Sequence, residues 1–231
     1  MQHFFINQEL TGNTIKILDK ELVHQMKDVL RFRTGEEVVF LDNKGNKATG
    51  AVRNINRDFV EVTLKGYSKC NNSEKIVRLY MALSKKPATF ELIIQKATEL
   101  GVTAIIPLIT SRCQVQNLRN IERHLAIIKE SAEQCERCFL PELKAETSLK
   151  DLLSNPPSGL ILAGDARMYD KKLKDMNLSE NKEINVIIGP EGGLTDEELE
   201  SIKKINGEIF LLGENVLRME TAAMAALAII I

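Results

Sequence analysis

A charge excess of either sign is missing from this chain, and so is any long apolar run. The 231 residues hold 31 Lys/Arg against 32 Asp/Glu, a net charge of −1, so no global basic field announces a nucleic-acid partner; a local patch would suffice for phosphate contacts. No window approaches the roughly 18 apolar residues that span a bilayer, and MQHFFINQEL has no basic segment leading into an apolar run, so no secretory signal is read. Cysteine is scarce: Cys70, Cys113, Cys135 and Cys138 are too few and too scattered for a disulfide framework. CERC has the C-x-x-C spacing, but no second pair or nearby His completes a zinc set, and it falls in a helical pattern rather than at a strand-to-helix junction. No metal is expected, and a cytoplasmic location is. Internal repeats and low-complexity stretches are absent.

What is present is ordinary for a globular chain, 44% hydrophobic and 27% charged. The balance is uneven along it: residues 1–70 carry 11 Lys/Arg against 9 Asp/Glu, and residues 71–231 carry 20 against 23. Texture changes at the same place. HFFIN, TIKILD, EEVVFLD, KATGAVRNI and DFVEVTLKGY read as short strands around one helix, KELVHQMKDVLR, which predicts a small β-barrel over 1–70. After the polar SKCNNSEK, buried strands (IVRLYMALS, AIIPLIT, GLILAGD, INVIIGP, EIFLLG) alternate with helices (TFELIIQKATEL capped by Gly101, IERHLAIIKESAEQCERC, LKDLLS, TDEELESIKKIN, METAAMAALAIII). That alternation predicts an α/β domain with a mostly parallel sheet over 71–231.

Three strand ends carry the candidate chemistry. NVIIGPEGGLTDEEL drives a buried strand into Gly189-Pro190-Glu191-Gly192-Gly193, and Thr195 with Glu198 forms a capping box that fixes the next helix start. The glycines therefore lie at the carboxyl edge of the sheet, where open α/β sheets bind ligands; a tight turn with no ligand is the alternative. The loop is no phosphate cradle: it matches neither G-x-x-x-x-G-K-[ST] nor G-x-G-x-x-G, Pro190 removes an amide donor, and Glu191 would repel phosphate. EIFLLGENVLRMETAA breaks at Gly213 and carries Arg218 and Glu220 into an Ala-rich helix, as catalytic groups or as a surface ion pair. GLILAGDAR ends a third strand at Gly164.

IGPEGGLTDEEL followed by LLGENVLRMETAA resembles the C-terminal motifs of RsmE-type ribosomal RNA methyltransferases of the SPOUT superfamily. IQKATELGVTAIIPLITSRC is similar to that family's first methyltransferase-domain motif through Lys96, Glu99, Gly101, Pro107 and Arg112. EQCERCFLPEL matches through Gln134, Arg137 and Pro141, and HQMKDVLRFRTGEEVVFLDNKG through His24, Leu30, Arg31 and Gly35. The chain departs from the family at His24-Gln25, usually paired histidines, and at His3, usually Arg.

The resemblance implies an N-terminal PUA-like β-barrel that binds RNA (1–70) and a trefoil-knotted SPOUT α/β methyltransferase domain (71–231) with helices on both faces of the sheet. It implies a homodimer and methyl transfer from S-adenosyl-L-methionine to N3 of a uridine in 16S ribosomal RNA within the small subunit. The cofactor-binding residues it implies are Leu162, Ala163, Gly164, Gly189, Pro190, Glu191, Gly192, Gly193, Leu212, Gly213, Val216, Leu217 and Arg218. Arg218 would stabilise charge developing on the uracil, with Glu220 or Glu191 as proton acceptor, and Lys27, Arg31, Arg33 and Arg53 would contact RNA phosphates. An RNA-binding or ribosome-assembly protein that keeps the fold without methyl transfer, or a SPOUT methyltransferase acting on a different RNA, stays open at this point.

Overall fold

The computed structural model describes residues 1–71, 73–167 and 171–231. By contact density the chain forms two compact units, Met1–Asn72 with Ala132–Leu140, and Ser73–Ser131 with Pro141–Ile231. The stretch 132–140 thus groups with the first unit, although its sequence lies inside the α/β half.

The first unit contains β1 (Gln2–Phe5), β2 (Thr14–Ile17), a short α1 (Lys20–His24), β3 (Glu37–Leu41), β4 (Asn46–Ile55) and β5 (Val60–Lys69). The strands form one sheet in the order β1-β3-β4-β5-β2, antiparallel except for the β1–β3 pair. Alternation builds its core: Ile15 and Ile17, Val38 and Phe40, and Val60 and Val62 point inward with Leu22, Val23 and Met26 of the helical segment.

Past His24 the helix does not continue as the regular segment expected through Arg31. It widens into a π-helical turn over Gln25–Val29, with the Leu30 amide donating to Gln25 O at 2.9 Å. The wide turn leaves Met26 fully buried and brings Phe32 back onto Phe4, ring centroids 6.1 Å apart. Cys70 and Cys138 form a disulfide across 68 residues. The sequence reading missed this pairing because it placed CERC inside a helix. The helix ends at Gln134, Glu136 takes a left-handed φ of 61°, and Cys138 follows outside it.

The second unit runs β6 (Ile76–Ala82), α2 (Pro87–Leu100), β7 (Ala104–Ile109), α3 (Ile121–Gln134, up to Ser131 in this unit), β8 (Glu142–Leu143), β9 (Thr147–Ser148), α4 (Leu149–Ser154), β10 (Leu160–Gly164), β11 (Glu183–Ile188), α5 (Asp196–Lys204), β12 (Glu208–Phe210) and α6 (Met219–Ile230). The sheet order is β12-β10-β11-β6-β7-β8, with β9 beside β7, and every described pairing is parallel. This is the architecture that alternating buried strands and helices predict. The two-residue β8 and β9 are too short to show a pattern in sequence.

Strand residues of one parity (Tyr80, Ile106, Ile161, Ala163, Ile187, Ile209) pack with Leu149 and Leu152 of α4 and Leu199 and Ile202 of α5. The opposite parity (Leu79, Met81, Ile105, Leu162, Val186, Phe210) is equally buried, on the side where α6 packs against β11 and α2. Pro87 opens α2, and Gly101 closes it at φ 110°, a left-handed position that a residue with a side chain adopts only with strain. Among the described residues no helix is long and apolar enough to cross a membrane.

Candidate active site at three strand ends

The parallel order β12-β10-β11 sets three carboxyl ends level with one another. Gly164, the last residue of β10, is in register with Ile188 of β11 on one side and Phe210 of β12 on the other. The chain leaves all three strands in the same direction, so the loops that follow enclose one hollow. Its volume is about 610 Å³, within the range of small-molecule sites.

The glycine-rich loop after β11 is held from several sides. The Gly193 amide closes a turn onto Pro190 O at 2.8 Å, and Gly193 itself has φ 71°. Arg112 Nη1 donates to Gly192 O at 2.7 Å and to Leu194 O at 3.1 Å. Arg167 Nη2 donates to Leu194 O at 2.7 Å, steadied by Asp165 at 3.1 Å. The Ser84 hydroxyl donates to Glu191 Oε1 at 2.6 Å. The capping box forms as its spacing predicts, and Glu198 also accepts the Ser111 amide at 2.7 Å. The exposed amides of that helix start hold the Glu197 carboxyl below its usual range, chiefly through its own backbone amide and then the Thr195 hydroxyl.

The hollow is lined by Gly164, Gly189, Pro190, Glu191, Gly192, Gly193, Leu212, Gly213, Val216, Leu217, Arg218 and Glu220, residues from all three loops singled out in the sequence. Leu162 and Ala163 are not among them. Both are fully buried within β10, because mid-strand residues of a central strand face the helices on either side. The wall begins at Gly164 and continues through Asp165, Ala166 and Arg167.

The glycines differ in what they do. A Cβ at Gly164 would stand 3.2 Å from the Phe210 ring and 3.3 Å from Ile188, and one at Gly189 would stand 3.2 Å from Leu194; these two serve packing inside the protein. A Cβ at Gly213 would meet nothing within 4 Å, so the space beside it is open to a ligand. The amides of Glu191, Gly192, Leu212 and Gly213 find no acceptor among the described residues, whereas the Gly192 carbonyl already accepts from Arg112.

Arg218 sits at the N-cap of α6 without a capping bond, and its side chain has no ion-pair partner among the described residues. Glu220 lies in the first turn of the same helix. The ion pair between them that was the alternative reading is therefore not formed. Val216 is 81% exposed, an apolar side chain at the mouth.

Lining residues that sequence reading missed include Lys86, Thr89, Asp165, Arg167 and Phe210. Asp165 and Arg167 could have been found, since they directly follow Gly164. Lys86, at the N-cap of α2, and Thr89, in its first turn, are far away in sequence. Lys27, Arg31, Arg33 and Arg53 lie in the first unit: Lys27 is half-buried, the others exposed, and Arg53 stands 3.9 Å from Glu61. Among the described residues no three His, Cys, Asp or Glu side chains gather as a metal site.

Residues 71–231 match the family model of an RNA methyltransferase domain, and residues 18–65 that of an RNA methyltransferase PUA domain. The chain is 32% identical to the ribosomal RNA small subunit methyltransferase E of Rickettsia conorii over 97% of its length and 92% of the relative. It is 29% identical to the protein of that name from Bacillus subtilis, over 100% and 96%. Among solved structures, ribosomal RNA small subunit methyltransferase E from Neisseria gonorrhoeae, bound to S-adenosyl methionine, superposes with a TM-score of 0.87 at 28% identity, covering 99% of this chain and 95% of that one. A Legionella pneumophila protein solved with the same cofactor bound gives 0.89 at 28%, covering 99% and 96%. With a domain model matched along the whole α/β half, a PUA model within the first, and relatives aligned nearly end to end, the chain belongs to the family of RNA methyltransferases that includes these ribosomal RNA enzymes.

Proposed function

We propose that this protein methylates N3 of a uridine in 16S ribosomal RNA, using S-adenosyl-L-methionine. The observation that carries the reading is the hollow at three level strand ends, walled by backbone amides that find no acceptor among the described residues, with Arg218, Glu191 and Glu220 along its lining. The fit to the cofactor is good. Amides of Glu191, Gly192, Leu212 and Gly213 suit the hydrogen-bonding edge of an adenine, the open space at Gly213 admits its flat ring, Val216 and Leu217 offer an apolar cover, and the carboxylates tolerate a sulfonium where phosphate would be repelled. When bound, the cofactor supplies an electrophilic methyl group.

The chain's own residues do the rest. The hollow holds the uracil edge in line with the methyl group, which accounts for much of the rate by positioning alone. As N3 loses its proton, negative charge spreads onto the flanking carbonyl oxygens, and the unpaired Arg218 guanidinium stabilises it there. Glu220, without a partner among the described residues and in the helical turn that Arg218 opens, accepts the proton; Glu191, fixed by Ser84, orients the loop and balances the cofactor's charge.

In this reading residues 1–70 are a PUA-like barrel in which Lys27, Arg31, Arg33 and Arg53 contact phosphates, and 71–231 is the catalytic domain. Its chain is threaded as a trefoil knot, supported by the return of α6 from the edge strand β12 to the middle of the sheet at β11. It acts in the cytoplasm as a homodimer on the small ribosomal subunit. Leu92, Ile229 and Ile231, exposed on the α2–α6 side, supply apolar surface for the pairing.

The test is direct. Incubating the protein with methyl-labelled cofactor and 16S RNA, free and in small subunits, should place label on uracil N3, and cofactor should raise the melting temperature. Arg218→Ala should lower kcat on the order of 10²–10³-fold while that thermal shift stays. If the intact protein shows no label and no stabilisation, the assignment is refuted.

A further inference from the structure

A second hollow, of about 400 Å³, lies in the first unit between Lys20, His24, Lys27, Asp28 and Arg57. Asp28 is its one anion, and its oxygens already take His24 Nδ1 at 2.8 Å and Lys27 Nζ at 3.6 Å. Lys20 and Arg57 have no ion-pair partner among the described residues, so the hollow presents uncompensated positive charge. Both cations are firmly based. Lys20 is the first residue of α1, whose Asp19 cap accepts the amides of Glu21 and Leu22 at 2.9 and 3.1 Å. Arg57 rides a turn in which Asn56 Oδ1 accepts the amides of Asp58 and Phe59 at 2.8 and 3.0 Å.

The backbone along this wall is irregular in two ways. The π-helical turn Gln25–Val29 carries Lys27 and Asp28, and such single-turn insertions concentrate at functional sites. Arg31 then holds φ 57°, a conformation that costs a residue with a side chain energy and persists where the surroundings impose it. The same turn leaves Val29 62% and Leu30 39% exposed. Unpaired cations beside an apolar shoulder complement a polyanion whose bases are unstacked.

We propose that this hollow grips a backbone phosphate of the RNA, with Lys20, Lys27 and Arg57 as its donors and Val29–Leu30 beneath an unpaired base. The inference rests on the reading above that RNA is the substrate. Lys20 and Arg57 join the site on equal terms with Lys27, while Arg53, on β4 beside Glu61, lies outside it.

Binding of a 16S RNA transcript measured from low to moderate salt tests the proposal. Lys20→Gln with Arg57→Gln should weaken binding on the order of tenfold at low salt and lower the slope of log K against log salt by roughly 1.5. A control pair of equal charge change in the other unit, Lys150→Gln with Lys204→Gln, should leave the slope unaltered, and cofactor-induced thermal shift should match the parent in both. An unaltered slope in the first pair, or an equal loss in the control, overturns the proposal. Parent protein that neither binds nor methylates the transcript overturns the functional reading instead, a result visible before any variant is compared.

Discussion

Glycine positions that look alike in sequence separate once their neighbours are known. Gly164 and Gly213 each follow a buried strand, yet a side chain at the first would press on Phe210 and Ile188 while one at the second would enter empty space. Gly164→Val is therefore expected to destabilise the fold by about 1–3 kcal/mol through overpacking. Gly213→Val should leave denaturant stability within about 0.5 kcal/mol yet remove most cofactor affinity, read by calorimetry. Equal affinity in Gly213→Val and the parent would mean that no ligand approaches this backbone.

Among elements, the loop after β11 depends on a clamp from elsewhere in the chain. Arg112 follows β7, 80 residues before Gly192, and its guanidinium fixes two carbonyls of the turn. Arg112→Ala should raise the cofactor Kd on the order of tenfold, since each charged hydrogen bond contributes about 1.5–3 kcal/mol and Arg167 retains part of the grip. Arg112→Lys should recover only part of this, because an ammonium lacks the planar fork. Unchanged affinity in both would leave the loop's shape to its own turn and to Glu198. The capping box, the Gly101 helix end and the alternation of strands and helices were all readable, because each depends on residues within a few positions. The Arg112 clamp, the Cys70–Cys138 bond and the π-helical turn were not, because each depends on partners brought together by folding.

At the scale of the whole molecule, each unit buries one histidine. His3 in the first and His124 in the second are both 4% exposed, and burial lowers the pKa of each below 6.5, against partial opposition from Glu136 and Glu91 respectively. With the folded value below the unfolded one, the unfolded chain takes up the proton first as pH falls. Both contributions are thus complete above the unfolded value near 6.5 and are lost on acidification below it. Denaturant midpoints should fall between pH 7.5 and 5.5, and the combined variant His3→Gln, His124→Gln should flatten that decline; a parent midpoint constant over this range would contradict it.

The sequence by itself determined the alternation of the longer strands and helices, the start of α5, the end of α2 and the three glycine-ended strands, because local propensity and periodicity act over one or two turns of chain. Only the tertiary structure decided which strand lies between which. The order β12-β10-β11 sets Gly164 level with Ile188 and Phe210, and from that register alone three loops distant in sequence close around one hollow. It also decided that Leu162 and Ala163 are core rather than wall, and that Lys20 and Arg57 meet across a fold that separates them by 37 residues. Strand neighbours and side-chain contacts over such separations are set by hydrophobic burial of whole faces, a property of the assembled sheet that no short stretch of residues contains.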